Sequence, residues 1–308
     1  MGNGSHTPLS ARSRGEREGP TAQPWEGEVG AEAPVGRAEP HPPHSSSPPP
    51  GAERGALWLG PRRLETAWWG APPAEAPTIV LLHEGLGCVS LWRGFPARLA
   101  AATGLGVFAY SRFGYGRSDP EPLPWPPTYM HREATDVLPR VLAEAGIGRH
   151  VLLGHSDGAS IAAIHAGAAP RPGLCGLVLI APHFFVEDAG LASIVAIRAQ
   201  YGAGGLRARL ARHHADPDNA FHGWNGAWTN PEFRTWNILD SVPRIAVPML
   251  LLQGTEDAYG SAEQLHAAAR AARAPAETLL IDGTGHAPHL ERTEDALAAV
   301  SGFLRHVL

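Results

Sequence analysis

Leu153-Gly154-His155-Ser156-Asp157-Gly158 sets a serine among small residues, directly after an apolar run and ahead of a small-residue helical stretch. A free serine hydroxyl is a weak nucleophile. It becomes a strong one when a base takes its proton and an acid orients that base. The G-x-S-x-G spacing suits such a serine, because small residues let a strand turn sharply into a helix and leave the hydroxyl at the tip. Two later segments hold possible partners. Gln253-Gly254-Thr255-Glu256-Asp257 follows one apolar run and carries the carboxylates of Glu256 and Asp257. Gly283-Thr284-Gly285-His286-Ala287-Pro288-His289 follows the last such run and carries the imidazoles of His286 and His289. Taken singly, an Asp after a strand reads as a turn or cap residue and a loop His as solvated. Taken with the serine motif, the order serine, acid, histidine at strand ends on one sheet edge lets the three side chains converge.

The elements that must position them read as alternating strands and helices. Ala56–Leu59 and Arg63–Trp69 flank Gly60-Pro61 as strand, turn and strand. Thr78–His83, Gly106–Ser111, His150–Gly154, Leu174–Ile180, Pro248–Gln253 and Glu277–Ile281 are short apolar runs, the pattern of strands buried on both faces. Helices are expected over Leu91–Ala102, Thr128–Ala145, Gly158–Ala168, Ala262–Ala272 and Asp295–Leu308. The predicted fold class is therefore α/β, a mostly parallel central sheet with helices on both faces. Residues 183–246 break the alternation: Leu191–Tyr201 and Leu206–His214 read as helices, followed by Phe221, Trp224, Trp228, Phe233 and Trp236. A structureless loop of that length is improbable in a folded domain, so a helical lid insertion over the binding edge of the sheet is expected. Phe184, Phe185, Trp224, Trp228 and Trp236 are its expected substrate-binding residues, since aromatic residues concentrated in an insertion commonly line pockets.

LLHEGLG at 81–87, SRFGYGRSD at 111–119, GHSDG at 154–158, QGTEDAYG at 253–260 and GTGHAPHLE at 283–291 occur in the order found in the α/β-hydrolase superfamily. The chain from about Ala56 onward resembles the lid-bearing, esterase-like branch of that superfamily. The resemblance implies a catalytic triad of Ser156, Asp257 and His286. Asp257 is favoured over Glu256 by its distance from Gly254, and His286 over His289 because it directly follows a glycine. It also implies oxyanion donors at the backbone N–H groups of Gly85 and Asp157. The chain departs from the family at His83-Glu84-Gly85, where relatives usually carry glycine in place of Glu84. A carboxylate buried there needs a partner, expected to be local backbone or Arg112.

Asp157 has two readings. An acid in the first turn of a helix is stabilised by the helix dipole. GHSDG is also similar to the elbow of valacyclovirase-like hydrolases, where the acid is associated with amino-acid ester substrates, so Asp157 is also a candidate contact for a substrate cation. His213-His214 with Asp216 and Asp218 reads as a solvated helix end rather than a metal site, because adjacent helical side chains diverge. Phe113-Gly114-Tyr115-Gly116 lacks dinucleotide-binding spacing, and Cys88 reads as packing. No metal or cofactor is expected.

Composition bounds the alternatives. The 308-residue chain is 44% hydrophobic and 18% charged with net charge -5, without a basic stripe, so nucleic acid and anionic membrane are not expected partners. No apolar run reaches bilayer length. Cys88 and Cys175, the only two cysteines, lie far apart, which fits a reducing cytoplasm. Residues 1–54 are rich in Pro, Gly, Ser and Glu without hydrophobic periodicity. They read as a disordered tail with no secretory signal, leaving 55–308 as the hydrolase domain. The expected activity is cofactor-independent hydrolysis of a small carboxylic ester through an acyl-enzyme. The alternatives are a thioester, lactone or carbon–carbon substrate on the same fold, or a non-catalytic ligand receptor.

Overall fold

The computed structural model describes residues 52–308. The tail reading of residues 1–54 falls outside the described residues except for its last three, of which Glu53 and Arg54 already belong to the first strand.

Eight strands form one sheet in the order β1-β2-β4-β3-β5-β6-β7-β8. β1 (Glu53–Leu59), β2 (Arg62–Trp69) and β4 (Gly106–Tyr110) pair antiparallel in succession. β3 (Thr78–Leu82), β5 (His150–His155), β6 (Leu174–Ile180), β7 (Met249–Gly254) and β8 (Ala276–Ile281) continue from β4 in parallel. The period of two along each central strand divides its apolar residues between two cores. Val80, Leu82, Leu152, Leu177, Leu179, Met249 and Leu251 face one. Ile79, Leu81, Val151, Leu153, Val178, Ile180, Leu250 and Leu252 face the other. Near-continuous hydrophobicity is what a strand covered on both sides requires.

The second core is closed by α1 (Phe95–Thr103) and, at the C-terminus, the helix Thr293–Val307. The sequence predicts one helix over Leu91–Ala102. The structure instead has a 3-10 turn at Val89–Trp92 and then α1, because Arg93 turns to φ 52° ahead of Gly94. On the first face, α2 runs through Tyr129–Arg132, opens into a π turn over Glu133–Val137 and resumes as Leu138–Glu144. The sequence shows no sign of that opening. His165 Nδ1 donates to the carbonyl of Ala134 inside it at 2.7 Å, and π turns are stabilised by such outside partners. His165 sits on α3 (Asp157–Ala168), a helix buried almost throughout. Its small residues allow close approach: a Cβ on Gly167 would stand 2.5 Å from the carbonyl oxygen of Ser241.

Between β6 and β7 the chain leaves the sheet. α4 (Asp188–Gly202), α5 (Gly205–Leu210) and α6 (Pro217–Trp228) are followed by 3-10 turns at Pro231–Thr235 and Leu239–Arg244. The insertion is held together from within. Tyr201 stacks on Phe221 with ring centres 3.7 Å apart, and Asn225 Nδ2 donates to Ile194 O at 2.8 Å. Asp216 caps α6 by accepting from Asn219 N at 2.9 Å. α7 (Glu263–Ala271) and the short α8 (Pro288–Glu291), which the sequence reading missed, complete the chain before α9 (Thr293–Val307). Among the described residues no helix is long and apolar enough to cross a membrane.

Several buried histidines must be neutral. Burial pushes His165 and His214 down to about 4 and His183 down to about 3, and drives His83 and His289 well below the usual imidazole range. An unfolded chain takes up these protons near the ordinary value of 6.5, whereas the folded one resists until its depressed pKa. Stability is therefore complete above pH 6.5 and declines as pH falls, by up to about 1.4 kcal/mol per pH unit for each such histidine. Glu133 and Asp157, raised by burial, act in the opposite sense but are outnumbered. Urea midpoints measured from pH 7 to pH 5 are expected to fall steadily; a flat profile would contradict neutral burial.

Candidate active site

β5 passes into α3 through Ser156, which adopts φ 52° and ψ −118°. A non-glycine residue held there costs of order 1–3 kcal/mol and persists only where its surroundings over-determine it. The two motif glycines supply that constraint. A Cβ on Gly154 would lie 2.3 Å from the carbonyl oxygen of Gly158, and one on Gly158 would lie 1.9 Å from that of Leu82. The backbones of β5, α3 and β3 therefore touch at these two positions. Ser156 N donates to Ile180 O at 2.9 Å, fixing the turn to β6.

The loop after β7 brings Asp257 to the same edge, and the loop after β8 brings His286. His286 Nδ1 lies 2.9 and 2.8 Å from the two oxygens of Asp257. Asp257 also accepts from Tyr259 N at 2.8 Å and Gln253 Nε2 at 3.1 Å. Burial alone would raise its pKa. The neighbouring His286 charge and these hydrogen bonds more than offset that, so the carboxyl stays below its usual range and ionised. An ionised acceptor at Nδ1 selects the tautomer with its proton there and leaves Nε2 as the basic nitrogen. The competing residues are placed elsewhere. His289 is buried against Trp92, Phe95 and His155, with ring centres 5.1, 5.4 and 4.6 Å away. Glu256 is exposed. Two further carboxylates after β6, which could also reach this edge from the preceding strand, are engaged elsewhere: Glu187 by Ser261 and Gln264, and Asp188 by Arg234.

The loop after β3 forms the facing wall. Among the described residues the amides of Gly85 and Asp157, the two expected oxyanion donors, have no protein acceptor. Arg112, itself buried, holds this loop: its guanidinium donates to the carbonyls of His83 and Glu84, the latter at 3.0 Å, and its own amide donates to His83 Nε2 at 3.0 Å. His83 Nδ1 donates to Glu84 O at 2.8 Å, which sets its neutral tautomer. The Glu84 carboxylate does not pair with Arg112 as expected. It lies 3.5 Å from His155 Nδ1, while His155 Nε2 donates to His286 O at 2.9 Å. Burial would raise the Glu84 pKa, but His155 outweighs it and keeps the carboxyl below its ordinary value. Gly87 leaves room for this side chain, since a Cβ there would stand 2.3 Å from Glu84 Oε2. Glu84 and His155 thus link the loop after β3 to the loop that carries His286.

Asp157, 1% exposed, is engaged on both oxygens. Tyr129 Oη donates to Oδ2 and Trp228 Nε1 to Oδ1 at 3.1 Å, with Arg112 3.8 Å from Oδ2. Burial pushes its pKa up, against the pull of Arg112, Tyr129 and Trp228. The contact ties α6 of the insertion to the elbow. His214 makes a second tie, accepting from Gly116 N at 2.9 Å and lying 3.0 Å from Leu86 O. His213 pairs with Ser90 at 2.8 Å, Asp216 caps α6, and Asp218 binds Arg207 and Tyr201. The solvated-end reading of this group is corrected for His214, which is buried because its two ring nitrogens bridge the insertion to two core loops. The Cys88 thiol is pushed up to about 12 by burial, which removes it as a nucleophile.

Ser156, His286, Asp157, Glu84 and Gly85 border one cavity with about 470 Å³ of empty space, including its mouth. Leu86, Ile194, Ile197, Leu206, Trp224, Trp228, His183 and Tyr259 complete its lining. Three expected wall residues are not there. Phe184 is fully buried beneath the insertion, and Phe185 pairs with Asn237 instead. Trp236 stacks on Phe233 with ring centres 5.2 Å apart, because the chain after α6 folds back under its own helix. The sequence reading missed Ile194 and Ile197, although their three-residue spacing marks one face of α4.

The profile of the alpha/beta hydrolase family matches residues 79–300. No curated protein sequence is significantly similar to the chain. Among solved structures, the fold is similar to a thermophilic esterase from Thermogutta terrifontis, with a TM-score of 0.64 and 21% identity over 83% of this chain and 99% of that one. It is similar to naproxen esterase from Bacillus subtilis, at 0.62 and 18% over 82% and 91%. It is also similar to 2-hydroxy-6-oxo-6-phenylhexa-2,4-dienoate hydrolase from Rhodococcus sp. strain RHA1, at 0.69 and 16% over 82% and 99%. With a matching profile across most of its length and the sheet order and elbow described above, the chain belongs to the alpha/beta hydrolase family.

Proposed function

We propose that this hydrolase cleaves small carboxylic esters through an acyl-enzyme on Ser156. The observation that carries the reading is the Asp257–His286 pair at 2.8 Å, with His286 bordering one cavity together with a serine held at positive φ. His286 Nε2 takes the hydroxyl proton as Ser156 attacks the ester carbonyl. Asp257 keeps the imidazole in the required tautomer and stabilises the imidazolium. The amides of Gly85 and Asp157 receive the developing oxyanion. His286 then protonates the leaving alcohol, and water attacks the acyl-serine by the reverse proton route. Two free thiols, Cys88 buried and Cys175 partly so, fit a reducing compartment.

The insertion serves in this reading as the lid and forms the acyl pocket. Ile194, Ile197, Leu206, Trp224 and Trp228 offer apolar surface and no cation. Asp157 is read as the anchor of the lid, since Tyr129 and Trp228 occupy its oxygens.

Ser156→Ala is expected to abolish the burst and turnover of p-nitrophenyl esters at an unchanged melting temperature. His286→Ala should be about as damaging, because the two residues act as a unit, while His289→Ala keeps most of kcat. More than a few per cent of wild-type kcat in Ser156→Ala would remove the serine from its role.

Asp257→Asn should lose about 10⁴-fold in kcat, because an amide favours the wrong imidazole tautomer. A healthy variant would move the acid to another residue.

Across p-nitrophenyl esters, kcat/KM should rise with short acyl chains by about 0.8 kcal/mol, about fourfold, per methylene and fall once the pocket is full. A free α-amino ester and its N-acetyl analogue should differ by only a few-fold. Best turnover of long-chain lipids would refute the pocket, and a strong amine preference would give Asp157 a direct substrate contact. Preference for a thioester, lactone or carbon–carbon substrate in the same panel would reassign the bond.

A further inference from the structure

The indole of Trp224 lies directly against Gly85. A Cβ built on Gly85 would meet Trp224 Nε1 at 2.0 Å, Cδ1 at 2.5 Å and Cε2 at 2.7 Å. It is the nitrogen edge of the ring, not its benzo edge, that faces the loop. Trp224 borders the cavity shared by Ser156 and His286. Its neighbour on the same helix, Trp228, spends its N–H on Asp157 and Tyr129, at 3.1 and 3.0 Å. The indole N–H groups of Trp69, Trp92 and Trp236 are sealed in the interior without a partner. That of Trp224 is not sealed, and among the described residues none accepts from it. A polar N–H kept at a catalytic loop with no protein acceptor is a donor awaiting a ligand oxygen.

We propose that Trp224 Nε1–H is a further hydrogen-bond donor to the reacting carbonyl oxygen, delivered to the oxyanion loop by the insertion. This rests on the acyl-enzyme reading above. It gives Gly85 a second requirement: besides its amide, the missing side chain is what lets the indole nitrogen reach the loop. It also assigns the insertion a part in the chemistry, since the oxyanion site then draws donors from the loop after β3, the elbow and α6. A donor whose bond strengthens as charge develops on oxygen acts on kcat rather than on ground-state binding.

The test compares Trp224→Phe with wild type on p-nitrophenyl acetate and butyrate, with a fluorophosphonate probe for labelling at Ser156. Replacement of Trp224 by 3-benzothienylalanine, which keeps the bicyclic shape and lacks the N–H, is the second variant. Both are expected to lose at least about tenfold in kcat with KM within about threefold, at an unchanged melting temperature for the benzothienyl form. Wild-type kcat in the benzothienyl variant, or a loss confined to KM, overturns the proposal even if Trp224→Phe misfolds. Absence of both burst and labelling in wild type overturns the acyl-enzyme reading itself, and this proposal with it.

Discussion

The sheet edge that carries Ser156 depends on one backbone contact, the approach of Gly158 to the carbonyl oxygen of Leu82, where even a methyl group would lie at 1.9 Å. That contact presses the start of α3 onto the end of β3. It leaves the chain between β5 and α3 only one residue in which to reverse, and Ser156 takes the strained turn. Because β3, β5 and α3 meet there, the loop carrying Gly85 and the amide of Asp157 necessarily lie beside the serine. The elbow and the wall formed by the loop after β3 are therefore one feature of the packing. The local strain of about 1–3 kcal/mol is offset by two apolar cores that bury the central strands on both faces.

Around that contact the polar groups form two linked chains. Glu84 and His155 join the loop after β3 to the loop that carries His286, while Arg112, Asp157, Tyr129 and Trp228 join the elbow to the insertion. Unpaired charge is costly at such burial, so each group is placed against a specific partner. The consequence is positional. The loop, the elbow and α6 are registered to one another, and the cavity walls are set by the groups that hold the loop after β3. The aromatic residues of the insertion divide accordingly: Trp224 and Trp228 border the cavity, while Phe184, Phe233 and Trp236 are buried away from it.

Strand identity, the parallel sheet and the elbow motif were legible in the residues because they depend on local patterns, while the resemblance to the family pointed to Asp257 and His286, which the structure brings together. Apolar runs mark strands buried on both faces, and short glycine spacing marks a turn that admits no Cβ. Other features were decided by tertiary structure, because they depend on what arrives from distant parts of the chain. Nothing near Glu84 marks His155 as its partner, and nothing in GHSDG says that Tyr129 and Trp228 occupy Asp157. The break at Arg93 and the π turn at Glu133–Val137 were likewise invisible, since a helical pattern does not encode the neighbour that opens it. The break in strand alternation identified the insertion, but its aromatic residues could not be sorted into wall and support, because that depends on where each segment packs after folding. The sequence by itself determined the strands, the parallel sheet and the serine elbow, whose geometry is local in the chain. The tertiary structure alone decided the partners of the buried charges and the shape of the cavity, because both are set by surfaces that meet only after folding.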